Sequence, residues 1–149
     1  MADTTYIKKV VEPWVRDWLS KRFTGHRFNS RKLPLSNITQ DVPRIHEFDA
    51  VSEDGTIVTG IKGHSFKTSG GKLPSGKYHS LYQELYFLSL IKATIKFLII
   101  TNEDMYRDFK NKSKGKIADG IELMFCQLPE SIQQQVRRVT DKASKEMTK

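Results

Sequence analysis

A chain of 149 residues with 25 Lys and Arg against 17 Asp and Glu carries a formal net charge of +8. That length suits one domain with a single sizeable core, and that charge favours polyanionic partners. The longest apolar run is well short of the ~18 residues of a membrane span, MADTTYIKK has no signal-peptide apolar region, and the single cysteine, Cys126, can form neither an internal disulfide nor a cysteine-based zinc site. A reducing, cytoplasmic setting is therefore expected.

The first element, TTYIKKVVEPWVRDWLSKRF, places Ile7, Val11, Trp14, Val15, Trp18 and Leu19 on one helical face. Pro13 fits the first turn of a helix starting near Glu12, or a kink in a longer one. A Thr-Gly stop and a basic, strand-like run, HRFNSRKLPL, follow. The segments RIHEFDAVS and TIVTGIKGHSF read as two strands of a hairpin around EDG. KTSGGKLPSGK is a Gly-, Ser- and Lys-rich loop. YHSLYQELYFLSLIKATI reads as a strongly apolar helix. KFLIIT suits a strand buried on both faces. NEDMYRDFKN is a short helix opened by an Asn N-cap, GIELMFCQL another buried strand, and PESIQQQVRRVTDKASKEMTK a helix with Pro at its first position and a stripe of Ile132, Val136 and Val139. The order is helix, three strands, helix, strand, helix, strand, helix. It predicts one α/β domain over 1–149 with a mixed central sheet flanked by helices.

Alternation along EFDAV puts Phe48 and Ala50 on one side and Glu47, Asp49 and Val51 on the other. On the next strand Ile57, Thr59 and Ile61 share one side, and Val58, Gly60 and Lys62 the other. The turn brings Asp49 and Lys62 toward the same end of the hairpin. A carboxylate and an ammonium so placed are what metal-dependent phosphodiester cleavage uses, one to hold a cation and one to position water and neutralise charge. The same residues also fit a strand-end acid and a snorkelling lysine.

On the helix, ~100° per residue gathers Leu81, Leu85, Leu88, Ile91 and Ile95 into an apolar arc with Glu84 near its centre. A carboxylate buried there costs several kcal/mol without a partner; a rotated helix would instead expose it beside Gln83. Glu12 edges the first helix's apolar face, where it could equally serve the helix dipole. His64 follows Lys62 by two positions and could touch phosphate, whereas His26, His46 and His79 show no metal-site spacing. Basic residues cluster around Arg27 and Arg31, around Lys67, Lys72 and Lys77, and around Lys112 and Lys114, which suits either phosphate contacts or solvated surface.

Taken together, EFDAV, GIK and the element order resemble the PD-(D/E)xK nuclease superfamily, the restriction-endonuclease-like fold, over roughly residues 6–128, with the C-terminal helix 129–149 beyond it. The resemblance implies an αβββαβ core and a Mg²⁺- or Mn²⁺-dependent DNA endonuclease, with a homodimer for cutting both strands. By it, Asp49 and Lys62 are catalytic, the Ile61 backbone carbonyl is a further metal ligand, and Glu12 is a candidate ligand, as in archaeal Holliday-junction resolvases. Gln83 is similar to a helix glutamine of some family exonucleases. The chain departs from the pattern at Gly60, where the second acid stands in the family. Some members carry that acid on the following helix, and Glu84 is then the expected substitute. The alternative is an inactive nucleic-acid-binding or assembly module on the same fold. A prokaryotic or phage setting is the expected one.

Overall fold

The predicted element order is the one found in the computed structural model, which describes residues 5–35, 44–62 and 75–147. Helix α1 spans Glu12–Arg22, and a π-helical turn, Ile7–Val11, runs directly into it. Pro13 is the second residue of α1. It has no N–H and its ring crowds the carbonyl four residues back, and the widened turn just before it absorbs both effects. Ile7, Val11, Val15 and Leu19 are buried along one stripe. Strands β1 (Phe28–Pro34), β2 (Ile45–Ser52) and β3 (Ile57–Lys62) follow, then α2 (Ser75–Ser89), β4 (Ile95–Ile100), α3 (Glu103–Lys112), β5 (Ile121–Phe125) and α4 (Glu130–Met147). The Asn102 side chain accepts from the Met105 N–H at 3.0 Å, the cap expected for α3. Pro129 stands just before α4 rather than inside it, and its carbonyl accepts from the Gln133 N–H.

The five strands form one mixed sheet in the order β1-β2-β3-β4-β5. The β1/β2 and β2/β3 pairs are antiparallel; β3/β4 and β4/β5 are parallel, joined by crossovers through α2 and α3. Both faces of the sheet are covered. On one face Val11, Val15 and Leu19 pack with Ala50, Ile57, Ile61, Ile99 and Val136, so α4 belongs to this core. On the other Leu81, Leu85 and Leu88 pack with Phe48, Val51, Val58, Leu98, Met105 and Phe109. Near-continuous apolar strands such as FLII follow from this two-sided burial.

Two expectations need correction. The apolar run after Tyr78 is not one helix to Ile95: α2 stops at Ser89, and Ile95 begins β4. Six further residues of helix would consume the chain that β4 needs to reach its place beside β3. Nor do Phe48 and Ala50 share a face. Asn29 pairs with Val51 but Arg31 with Phe48, so β2 holds one residue more than β1 across this interval. Asp49 and Ala50 thus form a β-bulge, and the alternation reverses there. The bulge carbonyls are held by side chains: Arg16 Nη1 donates to Asp49 O at 2.9 Å, and Thr59 Oγ1 to Ala50 O at 3.1 Å.

Beyond the bulge β2 and β3 diverge. Their pairing is limited to Ala50↔Thr59 and Val51↔Val58. By contrast β1 follows β2 as far as Ile45, and β4 follows β3 as far as Lys62. The two middle strands are zipped at the turn and open as a V at the other end.

Candidate active site in the cleft between β2 and β3

The cleft exists because a side chain replaces the ladder. Asp49 Oδ2 accepts the Ile61 N–H at 2.7 Å, filling the place of a β2 carbonyl. The N–H and C=O of one residue leave a strand on the same edge, so the Ile61 carbonyl also faces the β2 side. At the turn end Asp54 does comparable work. Its Oδ1 accepts from Ser52 Oγ, Thr56 N and Thr56 Oγ1 at 2.7, 3.0 and 2.7 Å, and these bonds hold its carboxyl down at about 2.

Glu84 enters the cleft from α2. An ideal Cβ built on Gly60 would lie 2.5 Å from Glu84 Cγ, 2.7 Å from Oε1 and 2.9 Å from Cδ. The glutamate therefore occupies the space that any side chain at position 60 would need. Gly60 is glycine here because of this close approach, its φ being ordinary. Glu84 is only 6% exposed. Its Oε1 is buried without a hydrogen-bond partner, while Oε2 lies 3.3 Å from His46 Nε2. His46 in turn stacks on Phe87, with centroids 4.1 Å apart and planes 19° apart, and meets Phe48 edge-on at 4.7 Å.

From α1, Arg16 ties Asp49's carbonyl to Glu12, whose Oε1 is 3.9 Å from Arg16 Nη1. Burial pushes the Glu12 carboxyl up to about 7, and the Asp49 charge adds to this. Desolvation likewise raises Asp49, against the Ile61 N–H and the Lys62 charge. It also raises Glu84, against Lys62 and His46. Lys62 is thus the cation that acts on all three acids. Asp49, Glu84 and Lys62 act on one another electrostatically, and Glu12 is in reach of Asp49 and Lys62. Among the described residues, however, no group of three or more His, Cys, Asp or Glu side chains converges closely enough to hold a metal ion. The donors available to one are the orphaned Glu84 Oε1, the Asp49 carboxylate and the Ile61 carbonyl. Two carboxylates and a carbonyl are hard oxygen donors of the kind Mg²⁺ takes while keeping several waters, so they fit it.

These raised acids give a pH dependence of known sign. Each binds its proton more tightly folded than unfolded, so the native state holds more protons above the ordinary values of 3.8 and 4.5. Stability of the cation-free protein should then be full at low pH and fall as pH rises through about 7. Urea denaturation at pH 5 and pH 8 should show the loss, and Glu12→Gln should remove on the order of 2–3 kcal/mol of it. Stability that rises over this interval would contradict the burial of these acids.

The basic residues are more dispersed. Arg31 pairs with Phe48 beside the bulge, but its Nη1 donates to Glu53 O at 3.2 Å, and the Arg27 carbonyl accepts from the Glu53 N–H, so the Arg31 guanidinium and the Arg27 backbone lie at the turn end of the hairpin. Lys112 pairs with Asp108 at 3.1 Å and sits 4.6 Å from the centroid of the Tyr78 ring. Lys114 is exposed, as is Gln83. Lys77 is half-buried in the first turn of α2, and desolvation lowers its ammonium. His64, Lys67 and Lys72 lie outside the described residues. His46, whose spacing suggests no metal site, touches Glu84; its partner is 38 residues on, which no local motif encodes. No motif gives Arg16 a role, although its i,i+4 spacing from Glu12 is the signal that marks it.

No protein-family model, curated protein or solved structure matches the chain. No helix among the described residues is long and apolar enough to cross a membrane.

Proposed function

We propose that the chain is a metal-dependent nuclease of the PD-(D/E)xK type that hydrolyses DNA phosphodiester bonds, with its second acid supplied by α2. The observation that carries this reading is the Glu84 carboxylate lying over Gly60, buried, with one oxygen unpartnered. An acid desolvated at this cost beside Asp49 and Lys62 is poorly explained as packing. Bound Mg²⁺ or Mn²⁺ would supply Lewis-acid polarisation of the phosphate and a lowered pKa for the attacking water. Asp49 and Glu84 would hold it, with the Ile61 carbonyl, while Glu12 adds negative charge from α1. Lys62, as an ammonium, donates hydrogen bonds that orient the water and neutralises charge developing on the phosphate. The net charge of +8 draws the polyanion in.

The test is nicking of supercoiled plasmid with Mg²⁺ or Mn²⁺. Wild-type protein should nick and EDTA should stop it. Asp49→Asn and Lys62→Met should each lower the rate by at least about a hundredfold. Variants that fold and cut like wild type would sink the assignment.

One observation favours a second reading, a nucleic-acid-binding module without catalysis: the acids do not form a ready three-ligand cluster among the described residues, and His46 already engages one Glu84 oxygen. Salt-dependent DNA binding with no cleavage under any divalent cation would select it.

A further inference from the structure

A carboxylate that must offer one oxygen to a cation needs its other oxygen fixed, and β2 contains the group for this. His46 Nε2 is 3.3 Å from Glu84 Oε2, on the oxygen opposite the orphaned Oε1. An ionised carboxylate has only lone pairs, so in that state the Nε2 proton is the one shared. The ring is held in plane by Phe87, stacked at 4.1 Å, and in rotation by Phe48, edge-on at 4.7 Å. Phe87 belongs to the same helix as Glu84, three residues on, so imidazole and carboxylate are referenced to one rigid element. Phe48 belongs to β2 and adjoins the bulge that aims Asp49.

From this geometry we infer that His46 is a positioning residue: it fixes Glu84 by its Oε2 so that Oε1 points into the cleft toward Asp49. The inference rests on the nuclease reading and adds to it a residue outside the acid-and-lysine set. The bond is a device for aiming rather than for strength, since at 3.3 Å it is long. Groups that orient a ligand are worth about 10–100-fold in metal affinity.

The experiment is calorimetric titration of Mn²⁺ into wild type, His46→Ala, His46→Gln and Phe87→Leu, with thermal melts to establish that each is folded. His46→Ala should weaken Mn²⁺ binding by about 10–100-fold. His46→Gln, whose amide N–H can reach Oε2, should recover most of the loss. Phe87→Leu should fall between, because the donor remains but its plane is no longer set. A purely structural histidine would shift the melts of His46→Ala and His46→Gln alike and leave Mn²⁺ affinity unchanged. Wild-type binding with unchanged affinity in His46→Ala overturns the positioning role and leaves the nuclease reading standing. Equal weakening in the Ala and Gln variants overturns the hydrogen bond as its cause. A wild-type protein that binds no Mn²⁺ overturns both.

Discussion

On the nuclease reading, Gly60→Ala should lower metal-dependent cleavage at least about a hundredfold while changing no ionisable group. The added methyl would stand 2.5 Å from Glu84 Cγ and 2.7 Å from Oε1, closer than nonbonded carbon and oxygen tolerate. Gly60 is in the middle of a sheet, with Val58 and Ile61 buried beside it, so the backbone cannot yield easily. Glu84 must swing away, which takes its carboxylate from Asp49 and from the His46 bond. Overpacking of this kind costs about 1–3 kcal/mol of stability, a modest drop in melting temperature. The cleavage rate should fall by at least about a hundredfold, the scale of losing one preorganised charge. The compensating variant makes the result specific. In Gly60→Asp combined with Glu84→Ala the space vacated by the glutamate admits the new side chain, and its carboxylate enters the same cleft. The double variant should cut faster than Gly60→Asp or Glu84→Ala alone, a non-additivity expected of residues in direct contact. Full activity in a well-folded Gly60→Ala protein would show that Glu84 is not needed where it stands.

Glu84→Met should stabilise the cation-free protein at pH 8 and remove cleavage altogether. Glu84 sits among Leu81, Leu85 and Leu88 on the buried side of α2. Its desolvation is only partly offset by Lys62 and His46. A methionine of similar volume fills the space without an ionised group, and Lys62 keeps Asp49 as its counter-charge, so relief of the buried carboxylate should stabilise by roughly 1–3 kcal/mol. His46 is half-buried and can take water as a partner. The gain should shrink as pH falls, because the raised Glu84 carboxyl takes up its proton more readily than an ordinary one. Urea midpoints at pH 8 and pH 5 measure both parts. A Glu84→Met protein less stable than wild type at pH 8 would mean the carboxylate is a structural asset rather than a site kept at the fold's expense.

The element order was readable because the elements differ in period: Val11, Val15 and Leu19 recur every four residues, while the middle strands alternate or run apolar. Glu84 was readable for the same reason, as a charge at the centre of an apolar arc. Lys62, Gly60 and Val58 keep the common face that alternation assigns them. The bulge left no trace, since Asp49 and Ala50 are ordinary strand residues and the extra one is defined only by β1's register against β2. Uninterrupted alternation therefore predicts Ala50 on the face of Phe48, opposite to the one it occupies. The end of α2 at Ser89 was hidden because SLIKATI stays apolar and continues the helical arc past the true stop. His46 could not be found from spacing, because what gives it a role is a contact between β2 and a helix after the hairpin, not any neighbour in sequence.

The Asp49–Ile61 bond has a consequence of its own. Most amides in this sheet exchange their hydrogens with solvent only when strands part, so they report on global opening. The Ile61 amide is held by an ionisable acceptor at the apex of the cleft. Its exchange rate and chemical shift are therefore coupled to the charge on Asp49, and to anything that competes for that oxygen. One backbone proton serves as a built-in probe of the site, readable by NMR without substrate or catalysis.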